Sequence, residues 1–472
     1  MEAIAAVAFP RAGPDAVTSC TRRALLGRIA SSCVAGAVLM AGCARSGASA
    51  ARSQPMPANP TTKLVFYAKP VNAQVDQNTI QHIMQEVLAP FYATHRGVAI
   101  QIFTNKPPTS QFVADILANQ QVDVFHDNYF APYAGQNLLI PLQTYFQRDQ
   151  VDPSIWNPAQ YALYNTPAGP LAVPTYTGTS VLAVNRGMLS PAGVSYPSVA
   201  WTSQDFVSTC GAIARPGGPK PTYGGTIFWW STGPAQQASW VFRGFGGNQV
   251  TPGDPAAPSQ LSAPQNLAAL DWLYHELFWP QVCVPLNVAG RTQFVQGQCA
   301  MIDIDTWNLL AFAQALSSTA VNFDFVPYPV LPAGRATFCT ADFYAIAANC
   351  KQVDGAWELL RWVSTEPQWQ RASFRYALLS PALNSLWEEW ATVVQQVAPV
   401  FNGKSLQWFG DAASKGYAYP VEYYPYADQQ VWTMIAPYFA DLYARKLSVT
   451  GAARTIDQRV NAFETSARAA AT

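Results

Sequence analysis

Ile116-Leu117-Ala118-Asn119-Gln120-Gln121-Val122-Asp123-Val124-Phe125 is the stretch whose reading decides the fold of this chain. It ends an apolar stripe (Phe112, Val113, Ile116, Leu117) with helical spacing and runs into Val122-Asp123-Val124-Phe125, which has the length and side-chain types of a strand. Just upstream, Val98-Ala99-Ile100-Gln101-Ile102-Phe103 reads as another strand. Before it, Ile80, Ile83, Met84, Val87, Leu88 and Phe91 form the i, i+3, i+4, i+7 stripe of an amphipathic helix. Leu64-Val65-Phe66-Tyr67 begins the series as a short apolar strand. The order β-α-β-α-β predicts a parallel sheet covered by helices. Ligands of such sheets bind beyond the carboxyl ends of the strands, which puts Tyr67 to Lys69 and His126 to Tyr129 on one rim.

Further along, strands are expected at 171–173, 181–184, 300–302 and 323–326. Residues 215–264 are rich in Gly, Pro and Trp and read as irregular loops broken by short helices. Leu267, Leu270, Tyr274, Leu277 and Phe278 mark one side of a helix, and Trp357, Leu360 and Val363 the inner side of another that stops near Pro367. No period of about 20–50 residues recurs, which argues against a repeat fold.

Composition narrows the function. Of 472 residues, 50% are hydrophobic and only 12% charged, below the usual ~25%. The formal net charge is zero and no basic stripe appears, so nucleic acid is not an expected partner. The 12-residue apolar run Ile29 to Met40 is shorter than the roughly 20 residues of a membrane span and fits the core of an export signal. It follows Thr21-Arg22-Arg23 and leads into Met40-Ala41-Gly42-Cys43, which resembles a bacterial lipobox, with Cys43 as the lipidated residue. The arginine pair also resembles a twin-arginine signal, and the export route stays open. Residues 44–62, almost all Ala, Ser, Gly, Pro, Asn, Gln and Thr, read as a flexible tether. Five of the eight cysteines stay in the body: Cys210, Cys283, Cys299, Cys339 and Cys350. They allow at most two disulfides, whose pairing cannot be read from spacing. No zinc-type Cys or His spacing is present, and neither metal nor cofactor is expected.

In their order and spacing these pieces resemble the extracellular solute-binding proteins of ABC importers, in particular the sugar-binding family that includes maltose-binding protein. The likeness is carried by the 116–125 stretch, by Leu138-Leu139-Ile140-Pro141-Leu142, by Gly169-Pro170-Leu171-Ala172-Val173-Pro174 and by Val181-Leu182-Ala183-Val184-Asn185-Arg186. It continues through Trp201-Thr202-Ser203-Gln204-Asp205-Phe206, Phe294-Val295-Gln296-Gly297-Gln298-Cys299-Ala300-Met301 and Gly355-Ala356-Trp357-Glu358-Leu359-Leu360-Arg361-Trp362-Val363. Gln204 and Gln298 stand where relatives carry charge.

The resemblance implies an α/β, two-lobed periplasmic-binding-protein fold of type II, with a ligand cleft between the lobes. The first lobe would comprise 63–174 plus about 336–378, the second 175–335 plus about 379–472, after a signal at 1–43 and the tether at 44–62. It implies crossings near Pro174-Tyr176 and Phe338-Asp342. It also implies a monomer that is not an enzyme, lipid-anchored on the outer face of the cell membrane. That monomer would capture a solute and hand it to membrane permease subunits. Aromatic wealth and low charge favour a neutral mono- or oligosaccharide, because aromatic faces stack on sugar rings. The candidate ligand-binding residues are Tyr67, Lys69, Asp127, Asn128, Tyr176, Trp229, Trp230, Trp240, Asp305, Trp307, Asp342 and Tyr344. For each tryptophan the alternative is core packing, and for Asp127 and Asn128 a capping or turn role.

A secreted polysaccharide-active enzyme or a non-transport envelope binding protein is the competing reading. A glycosidase would need two facing carboxylates, and nothing selects a pair among Asp303, Asp305, Glu388 and Glu389. Gly403-Lys404-Ser405 lacks the upstream glycine of a phosphate loop, Ala398 standing in its place.

Overall fold

Leu64, Val65 and Phe66 are all buried, so the first strand presents apolar side chains to both faces, as an interior parallel strand must. In the computed structural model, β1 (Thr62–Tyr67) pairs in parallel with β2 (Val98–Phe103) on one side and β3 (Val124–Asp127) on the other. The structure describes residues 60–68, 77–103, 107–227, 239–250, 259–285, 290–340, 342–420, 422, 424 and 428–471. Helix α1 (Gln77–Thr94) connects β1 to β2 and buries Met84, Val87, Leu88 and Phe91, while α2 (Thr109–Leu117) connects β2 to β3 and buries Phe112, Val113 and Ile116.

The stop of α2 is written in Asn119, which adopts the left-handed conformation (φ 57°). Its N–H donates to Ile116 O at 3.0 Å, and Gln120 N–H donates to Asp115 O at 3.0 Å. These are the paired bonds of a Schellman ending, with Asn in the place glycine usually takes. The strand expected at 122–125 begins two residues late. Asp123 turns its buried carboxylate onto the Val65 N–H (2.7 Å), tying the edge of the helix–strand loop to β1 before the ladder starts.

Two short strands, β4 (Asn165–Thr166) and β5 (Gly169–Pro170), form a small ribbon ahead of β6 (Val173–Pro174). The strand expected at 171–173 is broken because Pro170 and Pro174 cannot donate to a ladder. After β6 the chain enters a second sheet. There β7 (Ser180–Asn185) is antiparallel to β9 (Cys299–Asp305) and to β10 (Phe323–Val326), and the edge strand β8 (Tyr223–Gly225) runs parallel to β9. Next, β11 (Thr337–Cys339) pairs with the late strand β13 (Ala418–Pro420). Finally β12 (Phe343–Ile346) re-enters the first sheet, antiparallel to both β3 and β6. The sheets thus have the orders β2-β1-β3-β12-β6 and β10-β7-β9-β8, the architecture of a two-lobed periplasmic-binding-protein fold.

The helix Val353–Thr365 buries Trp357, Leu360 and Val363 as its spacing predicts and ends at Glu366, before Pro367 opens the next helix. The helix expected at 267–278 changes pitch midway. Pro264–Asp271 is α-helical and Trp272–Phe278 is π-helical, so both Leu273-Tyr274 and Leu277-Phe278 face inward. Much of the tryptophan is core: Trp156, Trp240, Trp357 and Trp390 are fully buried.

Packing of the helix Ser203–Ile213 on β8 leaves no room for a side chain, since a Cβ on Gly224 would lie 2.1 Å from Cα of Cys210. Gly224→Ala is therefore expected to destabilise the protein by about 1–3 kcal/mol or more in a denaturant titration. Gly211, on the same helix with nothing within 4 Å of its would-be Cβ, is the control. Gly211→Ala should stabilise by about 0.5–1 kcal/mol. Equal effects of the two changes would contradict this packing.

Candidate functional site

Parallel register aligns the carboxyl ends of the first sheet. Tyr67 stands opposite Phe103 and Phe125, and Phe343 opposite Asp127, so the residues following β1, β2 and β3 and those preceding the antiparallel β12 share one rim. Tyr67 is half-buried there, stacked on Phe103 at 5.0 Å and edge-on to Phe112. Asp127 is fully buried and accepts from Tyr133 Oη (2.5 Å), Thr109 Oγ1 (3.1 Å) and the Asn128 N–H (2.7 Å). Burial and this carboxylate push the Tyr133 phenol well up. Asp127 thereby ties the start of α2 and the loop after β3 together, and the half-buried Asn128 is the residue it holds at the rim.

On the same edge the His126 Nε2 lies 3.2 Å from Asp342 Oδ1, both residues nearly buried. The Asp342 carbonyl accepts from the Thr175 N–H (3.2 Å), Tyr164 Oη (3.2 Å) and Gln160 Nε2 (3.3 Å). Tyr176, two residues after β6, is buried, and its carbonyl accepts from Gln160 Nε2 at 2.8 Å.

The second sheet contributes the end of β9. Asp305 is buried and accepts from Ser180 Oγ and from Asn308 Nδ2 (3.0 Å). Burial pushes its carboxyl up to about 6 against the pull of those donors. Thr306 then donates its N–H to Thr179 O (3.1 Å), which fastens the strand end to the crossing chain. Trp307 follows in a single 3-10 turn and is half-buried. Its ring stands edge-on to Phe338 at 5.4 Å. The ring also lies against Gly178, where a Cβ would come within 2.8 Å of the indole. Gly178 is thus required for the close approach of indole and backbone.

Three chain passages meet at this point: 176–180, 337–340 and 380–383. Gly178 and Thr340 exchange two bonds, Gly178 N–H to Thr340 Oγ1 (2.9 Å) and Thr340 N–H to Gly178 O (3.0 Å). Thr337 Oγ1 accepts from the Ser180 N–H (3.3 Å) and lies 3.0 Å from Ser180 O, to which it donates. Ser380 Oγ donates to Thr177 O (2.8 Å) and lies 2.9 Å from Thr306 Oγ1, and the Thr177 N–H donates to Pro381 O (3.1 Å).

Of the residues expected from sequence, Tyr67, Asp127, Asn128, Tyr176 and Asp342 gather on the first rim. Asp305 and Trp307 gather at the end of β9. Lys69, Trp229, Trp230 and Cys43 lie outside the described residues. Two of the expected residues have rings packed inside the structure. Trp240 is 1% exposed and stacked flat on Tyr328 at 4.3 Å, in the core beside the second sheet. Tyr344 is 2% exposed and packed among Phe66, His126 and Trp369. Both tyrosine and tryptophan carry enough apolar surface to be drawn inward when a hydrophobic neighbour is present.

Sequence reasoning missed Gln160, Gly178, Thr337, Thr340 and Ser380. A legible signal existed in Thr175-Tyr176-Thr177-Gly178-Thr179-Ser180, an unbroken run of hydroxyl residues around one glycine just before a strand. Among the described residues no group of three or more His, Cys, Asp or Glu could hold a metal ion, and no helix is long and apolar enough to cross a membrane.

Comparison with known proteins agrees with this architecture. The sugar-binding protein MalE from the phytopathogen Xanthomonas citri superposes with a TM-score of 0.68 at 18% identity, covering 86% of this chain and 98% of that one. UspC of M. tuberculosis gives 0.68 at 18% identity, covering 85% and 99%. An ABC substrate-binding protein from Listeria monocytogenes, in complex with cycloalternan, gives 0.66 at 16% identity, covering 85% and 98%. No curated protein matches the chain by sequence. Residues 76–368 match the family described as bacterial extracellular solute-binding protein, and the chain belongs to that family.

Proposed function

We propose that the protein is the substrate-binding subunit of an ABC importer, capturing a neutral mono- or oligosaccharide between its lobes and delivering it to the membrane permease. The observation that carries this reading is the half-buried Trp307 lying across Gly178, where the passages between the two sheets meet. An indole held there by Phe338 and backbone offers an apolar face for a sugar ring, and the rim residues Tyr67 and Asn128 lie on the other sheet. The structural relatives named as sugar-binding support the same class of solute.

Capture requires the solute to prefer the closed arrangement, because equal affinity for both arrangements would shift nothing. In this reading the first lobe is 63–174 plus about 336–378 and the second 175–335 plus about 379–472, turning about the three stitched passages. The export segment ends at Cys43, whose acylation anchors a monomer to the outer face of the membrane through the tether at 44–62. Cys43→Ala should then move the protein from the membrane fraction to the soluble extracytoplasmic fraction, with unchanged solute affinity. Retention of the variant on membranes would overturn the anchor.

A panel of mono- and oligosaccharides screened by thermal shift should reveal one class that stabilises by about 2.7 kcal/mol at 100 times its dissociation constant. With that solute, Trp307→Ala should lose a stacking surface worth about 2–3 kcal/mol. Calorimetric titration should show binding about 30- to 150-fold weaker, with little change in unliganded melting. Unchanged affinity in a variant that melts early would make Trp307 a packing residue and sink the assignment.

A further inference from the structure

Three fully buried thiols of the second lobe, Cys210, Cys283 and Cys299, surround one edge strand. On one side β8 pairs with β9, Tyr223 opposite Cys299 and Gly225 opposite Met301. On its other side Gly225 bridges Cys283. There the Gly224 N–H donates to Val282 O (2.8 Å) and the Val284 N–H to Gly225 O (2.9 Å). The helix Ser203–Ile213 lies directly over this strand, so a Cβ on Gly225 would stand 3.4 Å from Sγ of Cys210. Cys210 and Cys283 thus flank the same Gly224-Gly225 backbone.

Cys283 and Cys299 are closer in sequence but lie on opposite sides of β8. Two strand spacings of about 4.8 Å and a two-residue offset separate their Cα atoms by roughly 10 Å or more, beyond the ~7 Å a disulfide can span. The Cys299 thiol instead donates within its own strand, to Met301 O at 3.2 Å. Cys339 lies in β11, and Cys350 lies beside Asp123 at the first sheet, so neither joins this cluster.

We propose that Cys210 and Cys283 form a disulfide once the chain is outside the cytoplasm, stapling the helix Ser203–Ile213 to the segment 282–284 that borders β8. The proposal rests on the extracellular family and on this geometry, and is independent of which solute is bound. Outside the cytoplasm the environment is oxidising, and disulfides between neighbouring cysteines form and persist there. The bond forms by exchange with an external disulfide oxidant. One protein thiolate attacks the oxidant's S–S bond and releases one thiol. The second protein thiolate then displaces the other, so the oxidant takes up two electrons and leaves as two thiols carrying the two protons. Burial pushes the Cys210 thiol well above its ordinary value, so reactive thiolate is scarce in the packed lobe. Exchange therefore precedes the docking of the helix onto β8.

The test uses the full chain, exported and purified without reductant, alkylated under denaturing conditions, digested and read by mass spectrometry. The expected result is a linked peptide pair containing Cys210 and Cys283, two hydrogens lighter than the sum of the reduced peptides. Dithiothreitol should lower the melting temperature by about 5–10 °C. A Cys210→Ser, Cys283→Ser double variant should lose that response. Recovery of both cysteines as alkylated peptides from the unreduced protein would overturn the proposal, as would a Cys283–Cys299 link. Because the peptide map is read on the unaltered chain, a poorly folding variant leaves the test intact. A failed sugar screen on the same sample bears only on the solute.

Discussion

Every passage of backbone between two sheets leaves behind a ladder that would satisfy its N–H and C=O groups, yet the passages here are buried. A buried backbone group without a partner costs about as much as a lost hydrogen bond. Residues 176–180, 337–340 and 380–383 answer this constraint with one another and with short side chains. Thr337, Thr340 and Ser380 supply hydroxyls, Gln160 supplies an amide, and Gly178 allows the close approach. The positions of both sheet rims follow from this junction. Thr306 is tied to Thr179, which places Trp307, and the carbonyl of Asp342 is held by three donors, which sets the antiparallel entry of β12 beside β3.

Hydroxyl and amide bonds suit a junction that bends, as the proposed capture between lobes requires. They are individually modest, and a small rotation can exchange one acceptor for another. A junction of packed aromatics would resist the same rotation, because close-packed interiors do not deform continuously. One buried core runs from Leu64 and Phe66 of the first sheet to Val181, Ile302 and Phe325 of the second, and another is built on Trp240 with Tyr328. The rings at the junction are the buried Tyr176 and Phe338 and the half-buried Trp307.

The order of elements was legible because apolar spacing is a direct record of burial. The stripe Phe112, Val113, Ile116 and Leu117 and the strand-type runs at 98–103, 181–184 and 323–326 all correspond to elements of the structure, although Leu117 itself is exposed. The departures have local causes. Asp123 bonds the Val65 N–H and delays β3, while Pro170 and Pro174 cut the segment at 171–173. The change to π pitch at Trp272 leaves no mark in residue type. The site was less legible than the fold. Trp240 and Trp307 are chemically identical in the sequence, and only tertiary packing makes one a core residue and leaves the other half open. The polar residues of the junction are common surface types, and their role depends on partners as distant as Ser180 and Thr337.

The antiparallel strand β12 gives the first sheet its last interior partner only after the chain has built β7 through β11 elsewhere. Until residues 343–346 arrive, β3 presents an unpaired edge and β6 has no neighbour in its sheet. Closing so long a loop makes this a pairing of high contact order, and such pairings are slow. A nascent chain that ends before Phe343 is therefore an incomplete fold with a sticky edge, a state in which chaperone engagement and threading through a narrow pore remain possible. The early lobe waits on late sequence, and that delay is built into the topology.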